Sequence, residues 1–180
     1  MPVQLKFRPF SKDYLAELSN FDCGEELWEI AAQKWIVEEH EATIKRGTRI
    51  WLYFDNSDQL VGFGSLGTTQ LRYPDLVESK RVKVAVIPYL AIHRSSQGMP
   101  PGDSEFRYSS QMMRHIISEA ESMPIEAPVL SLYAHPQNLG AIKLYRRFGF
   151  VEFGSFHDQD DATTYHRMIL SLKLRDYLPS

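Results

Sequence analysis

The sequence predicts a mixed α/β or α+β fold, with helices packed on a central sheet. Three observations carry this. Period-two β-rich runs and helix-period runs alternate in the order β-α-α-β-β-β-α-β-α-β-β. The longest β-rich run, RVKVAVIPYLAIH at 81–93, is apolar at its centre on both faces, as a strand buried on both sides must be. There is no internal repeat and no low-complexity segment. A chain of 180 residues, 43% hydrophobic and 24% charged, is long enough to bury a sizeable core. We expect one domain over 1–180.

Each element has its own justification. Val3 to Arg8 alternates and reads as a strand. A short helix follows over about 12–18, broken by NFDCGEE with Gly24 as punctuation. From Glu25 to about Lys45, Leu27, Ile30, Ala31, Trp35, Val37 and Ala42 recur at roughly helical spacing, and Gly47 ends that helix. TRIWLYF and LVGFGSLGTTQL flank the turn-like DNSDQ, which predicts a hairpin. Pro74 opens a polar connector to about Arg81. Pro88 then interrupts the long strand. Proline cannot donate to a ladder, so an edge, a bulge or a local opening is expected there. Met112, Met113, Ile116, Ile117 and Ala120 mark one helix face, stopped by Pro124. PVLSLYAH is a strand, Asn138 to Phe148 a helix with Gly149 as its breaker, and FVEFGSF and TTYHRMILSLKL are the last strands.

Composition excludes some function classes. A net charge of −3 is a poor footprint for a dedicated nucleic-acid binder. The single cysteine, Cys23, excludes an intrachain disulfide and a cysteine-rich zinc site, and no metal site is expected. The opening MPVQLKFRPF has no apolar run of signal-peptide length, and no later stretch is long enough to cross a membrane. A cytoplasmic protein without membrane contact is the expectation.

Two stretches carry chemistry. A strand that runs through a Gly-containing loop into a helix start offers outward N–H groups and a positive dipole end, which suits an anion. Here the loop supplies Gln97, Gly98 and Gly102, with Arg94 and Arg107 nearby and hydroxyls on Ser109 and Ser110. Asp103 and Glu105 oppose an anion there. The alternative is a solvated loop with capping acids. The second stretch is NLGAIKLYRRFGFVEF, from Asn138. Asn138 fits an N-cap. Gly140 in the first turn costs roughly 1 kcal/mol relative to alanine, which makes sense where something must approach the backbone closely. Ala141, Leu144, Tyr145 and Phe148 form the apolar face.

These two stretches, PYLAIHRSSQGMPPG with its following helix and LSLYAHPQNLGAIKLYRRFGFVEF, resemble the signature regions of the GNAT family of N-acetyltransferases. The resemblance implies a central, mostly antiparallel sheet with two splayed parallel strands, flanking helices and an acetyl-coenzyme A cleft where those strands part. By resemblance the strands are Ile87–His93 and Val129–Ala134, and Pro88 falls near the opening. The main chain of Leu90, Ala91 and Ile92 would then pair with the pantetheine arm. The loop at Arg94, Gln97, Gly98 and Gly102 would hold the pyrophosphate, Asn138 and Ala141 would meet the cofactor, and Tyr145 would reach toward its sulfur. The family's phosphate loop usually reads Q/R-x-x-G-x-G/A, whereas QGMPPG is followed by DSEFRYS before the helix. Two arrangements are therefore open: an insertion, or a shifted register in which Arg107 to Ser110 contact phosphate. FDCGEELWEI also resembles the F-x-C-G start of a GNAT subgroup that includes toxins acetylating aminoacyl-tRNA, with the leucine one position displaced. The structural reading of Phe21 to Gly24 is a packed helix–helix turn.

The resemblance implies direct acetyl transfer to a primary amine of a small molecule or peptide. An amine near pKa 10.4 must be deprotonated, the oxyanion needs donors, and a leaving thiol of reference pKa about 8.5 is helped by a proton. Tyr145 is the expected acid. His93, Tyr89, Tyr133, His135 or a water relay are the candidates for removing the amine proton. Trp28, Trp35 and Trp51, and the acidic Glu38, Glu39 and Glu41, are candidates for the acceptor side. The alternatives to this reading are the tRNA-directed enzyme and a non-catalytic acyl-coenzyme A-binding or partner-binding module. A homodimer is compatible with the edge strands.

Overall fold

The computed structural model describes residues 4–72, 81–100, 106–158 and 162–172. Its elements are β1 (Lys6–Pro9), α1 (Leu15–Ser19), α2 (Leu27–Lys34), α3 (His40–Lys45), β2 (Arg49–Phe54), β3 (Leu60–Arg72), β4 (Arg81–Ile87), β5 (Leu90–Ile92), α4 (Tyr108–Glu121), β6 (Val129–Ala134), α5 (Leu139–Arg147), β7 (Val151–His157) and β8 (Thr164–Ser171). Positions 74–80 of the expected connector, and Val3 of the first expected strand, lie outside the described residues.

The structure refines the expected elements in two places. The stretch 25–45 is not one uniform helix. α2 and α3 are joined by a π turn, Trp35–Glu39. The i→i+5 spacing of that turn brings Trp35 and His40 onto one face, and both are buried. The expected strand 81–93 is two strands, β4 and β5, parted at Pro88 and Tyr89.

The strands are hydrogen-bonded in the order β1-β2-β3-β4-β6-β8-β7, with β5 also on β3. Residue contacts cluster into two compact units, Met1–Leu66 with Tyr89–Ile116, and Gly67–Pro88 with Ile117–Ser180. In the first unit β1, β2, β3 and β5 are antiparallel. One core gathers Leu18, Phe21, Trp35, Ile36, Leu52, Phe54 and Phe63. Each such side chain contributes roughly 1.5–3 kcal/mol by leaving water. The start of α4 packs against β3 through Met112 and Ile116, which are fully buried. β3 allows this through its glycines. A Cβ on Gly62 would lie 2.7 Å from the Ala91 carbonyl oxygen and 2.8 Å from Met112 Cε, and one on Gly64 would lie 2.6 Å from Ile116 Cδ1.

In the second unit the end of β3 pairs with β4, and β4 runs parallel to β6 from Ala85↔Leu130 to Ile87↔Leu132. β8 and β7 follow, both antiparallel to their neighbours. Leu71, Val84 and Val129 form a core covered by Phe153 and Ile169. No helix among the described residues is long and apolar enough to cross a membrane.

Candidate active site

The interruption of the long strand is a β-bulge. On one side of it Gly67 faces Val86, and on the other Gly64 faces Leu90. Two residues of β3, Ser65 and Leu66, therefore oppose three, Ile87, Pro88 and Tyr89. Proline supplies no N–H, so the extra residue falls where a ladder bond was already lost. The parallel ladder with β6 ends at Ile87↔Leu132, while β6 continues to Ala134.

Beyond the bulge, β5 pairs with β3 alone among the described strands. The Ser65 N–H donates to the Tyr89 carbonyl at 2.9 Å, and the His93 N–H to the Val61 carbonyl at 2.9 Å. Antiparallel pairing alternates. Tyr89, Ala91 and His93 thus turn their main chain toward β3, and Leu90 and Ile92 turn theirs to the unpaired edge. The three expected pantetheine residues divide accordingly. Leu90 and Ile92 present N–H and C=O groups outward, whereas Ala91 spends its own on Phe63.

The loop that follows begins with a 3-10 turn, Arg94–Ser96, capped by His93. The His93 ring Nδ1 accepts from the Ser95 N–H at 3.2 Å, and the ring stands edge-on to Phe21. Arg94 donates to Glu25 at 2.6 Å, and this carboxylate holds the guanidinium pKa above its usual value. The Gln97 amide donates to the Cys23 carbonyl at 3.0 Å and to Glu29 at 3.2 Å. Gly98 has φ +74°, and a Cβ there would meet nothing within 4 Å. The chain then returns. The Tyr108 N–H donates to the Met99 carbonyl at 2.8 Å, which ties the start of α4 back to this loop; Ser109 there is half-buried and Ser110 is buried. Gly102 lies outside the described residues. Arg107 is half-buried, and among the described residues its buried Nε has no hydrogen-bond partner.

The second unit carries α5. Asn138 caps it, its side-chain oxygen accepting from the Ala141 N–H at 3.1 Å. Among the described residues a Cβ on Gly140 would meet only that oxygen, at 4.0 Å, so no packing among them requires a glycine. The helix ends in a Schellman motif. The Phe150 N–H reaches the Tyr145 carbonyl at 3.1 Å and the Gly149 N–H reaches the Arg146 carbonyl at 3.0 Å, with Gly149 at φ +89°. The motif lays Phe150 against Tyr145, ring centroids 5.9 Å apart. The half-buried Tyr145 phenol is pushed up to about 12 by burial, so it stays protonated at neutral pH.

The remaining candidates are mostly structural. Trp35 is core and stacks on Tyr89 at 4.7 Å. Trp51 is core against His115, and Trp28 is half-buried. His135 is buried, its Nδ1 accepting from the Gln137 N–H at 3.2 Å. Tyr133 lies between Phe156 and Arg167. Glu38, Glu39 and Glu41 are exposed, and Glu41 pairs with Lys12, which lowers its pKa. The Phe21–Gly24 stretch is a packed turn. Phe21 meets Phe63, and the buried Cys23 thiol is pushed up to about 12, first by desolvation and then by Glu29 and Asp22. Ser65, fully buried in β3, was not singled out by the sequence, where only its polarity amid apolar neighbours marks it.

A family model described as Acetyltransferase (GNAT) family matches residues 12–150. The chain belongs to the GNAT acetyltransferase family. GNAT proteins of known structure share its fold at low identity. The spermidine/spermine N-acetyltransferase SpeG from Vibrio cholerae, in complex with manganese ions, aligns with a TM-score of 0.62 at 17% identity, over 95% of this chain and 94% of that one. A mutant AtaT toxin bound to the C-terminus of the antitoxin AtaR and acetyl-CoA aligns with a TM-score of 0.63 at 20% identity, over 94% of each chain. A chimera of Vibrio cholerae SpeG and hSSAT gives 0.67 at 16%, over 97% of this GNAT chain and 99% of the chimera. No curated protein sequence matches significantly.

Proposed function

We propose that this GNAT protein is an acetyl-CoA-dependent N-acetyltransferase, moving the acetyl group to a primary amine of a small molecule or peptide by direct attack in a ternary complex. The observation that carries the reading is the bulge at Pro88, which leaves the Leu90 N–H on an unpaired strand edge in a member of this family. A main-chain donor held in place needs no reorganisation when negative charge develops on the thioester oxygen. Leu90 and Ile92 are the proposed main-chain partners of the pantetheine arm, with Ala91 between them. Gln97, Gly98, Arg107, Ser109 and Ser110 are proposed for the phosphates. Arg94 and Gly102 belong to the same proposed loop, and Asn138 and Ala141 to the cofactor's other contacts.

Tyr145 is proposed to act on the leaving sulfur. Complete proton transfer from a phenol near 12 to a thiolate of reference pKa about 8.5 is uphill by about 5 kcal/mol. Tyr145 therefore works best as a hydrogen-bond donor that stabilises the thiolate. The proton balance closes through the amine. The C–N bond forms, the C–S bond breaks, and the proton lost by the amine ends on the thiol. His93 and His135 each spend Nδ1 on a turn N–H, which favours a water relay for that proton over either ring. A primary-amine acceptor is consistent with the spermidine of the SpeG enzymes that share the fold.

The test is thiol release from acetyl-CoA across a panel of polyamines, amino acids and peptides, with aminoacyl-tRNA included. Turnover with a primary amine supports the reading. Tight acetyl-CoA binding without turnover on any acceptor replaces it with a binding module, and turnover on aminoacyl-tRNA alone replaces it with the toxin-like enzyme.

A further inference from the structure

We infer that Ser65 is a positioning residue that aims the oxyanion donor, an inference that rests on the acetyltransferase reading above. Ser65 is fully buried in β3, opposite the bulge. Its hydroxyl oxygen accepts from the Tyr89 N–H at 2.9 Å and donates to the Tyr89 carbonyl at 3.0 Å. Its own N–H donates to the same carbonyl at 2.9 Å. A serine hydroxyl has one proton to give and two lone pairs, so one side chain satisfies both main-chain groups of Tyr89.

The consequence lies in peptide geometry. The Tyr89 carbonyl and the Leu90 N–H belong to one planar trans peptide unit, in which C=O and N–H point in opposite directions. Two donors on the Tyr89 carbonyl draw it toward β3. They thereby turn the Leu90 N–H away from β3, onto the open edge. At a bulge the ladder cannot do this alone, because the register has slipped by one residue and Pro88 has no N–H. Ser65 supplies the missing constraint. Without the hydroxyl, the carbonyl keeps one donor, the Tyr89 N–H loses its acceptor, and the peptide unit is free to rock.

The experiment compares wild type with Ser65→Ala, and with Ser65→Cys, which nearly keeps the volume and weakens both bonds. Amide exchange of the cofactor-free proteins is read by NMR, and kcat and the acetyl-CoA Kd are measured with the best acceptor. In Ser65→Ala, the Tyr89 amide should exchange at least about tenfold faster, while the His93 amide, bonded to Val61, stays protected. In the same variant kcat should fall about ten- to a hundredfold, with Kd changed less than about threefold, since a misaimed donor costs mainly the transition state. Ser65→Cys should fall between. Unchanged Tyr89 exchange would overturn the anchoring. Faster exchange with kcat within about twofold of wild type would overturn the positioning role. Loss of fold in both variants would assign Ser65 to stability alone. Wild type without turnover would overturn the acetyltransferase reading, while the exchange data would still decide whether Ser65 holds the bulge.

Discussion

Gly140→Ala separates what the fold needs from what a ligand needs. Gly140 is the second residue of α5, and among the described residues a Cβ added there would have only the Asn138 side-chain oxygen nearby, at 4.0 Å, an unstrained van der Waals distance. Nothing must move to accept a methyl group. Alanine also loses less backbone entropy than glycine on entering a helix, by roughly 0.5–1 kcal/mol. In a chain of 180 residues such a gain raises Tm by about 1–4 °C. Calorimetric unfolding of the cofactor-free protein measures it. The same methyl group would stand on the backbone that the cofactor is proposed to approach, so acetyl-CoA affinity should fall while stability rises. A cofactor-free Gly140→Ala protein that melts lower than wild type would refute the reasoning, because the fold itself would then demand the glycine.

Two further outcomes follow from the geometry. Gly62→Ala should destabilise by about 2–3 kcal/mol in urea unfolding, since the added methyl meets the main-chain oxygen of Ala91, which cannot swing aside, whereas Gly64→Ala should cost about 1 kcal/mol because it meets flexible Ile116 and Leu90 methyls; equal costs would contradict this packing. The Tyr145 phenol, raised above its unfolded value near 10, contributes stability that is fully present below about pH 10 and is lost as pH rises toward 12. The phenolate absorbance difference between wild type and Tyr145→Phe should accordingly have its midpoint near 12, and a midpoint near 10 would contradict the burial.

What the sequence made legible is what short-range physics encodes. The Asn138 cap, the Gly149 terminator and the packing of Phe150 on the last turn of α5 are all set within a dozen residues, and the sequence carries each of them. Pro88 announced the bulge because its missing N–H is visible in the residue itself. The π turn at Trp35–Glu39 was not legible, since one widened turn barely disturbs the hydrophobic period over 25–45. The return of Tyr108 to Met99 rests on a main-chain bond across nine positions, and neither QGMPPG nor DSEFRYS foretells it. Ser65 escaped for a related reason. Its partner is 24 residues away, and a serine within VGFGSLG reads locally as one more strand residue. The same limit explains Trp35 and Trp51. Their spacing left a ligand wall open, and only tertiary packing assigns them to the core.

The most direct test of the account is isothermal titration of the folded protein with acetyl-CoA at near-physiological salt. Micromolar binding is expected, weakened when Arg107 or Asn138 is replaced by alanine and retained in Tyr145→Phe. No detectable heat from a protein shown to be folded would contradict it, because the strand edge at Leu90 and the loop at Gln97 and Gly98 would then be features of the fold without the cosubstrate they are proposed to hold.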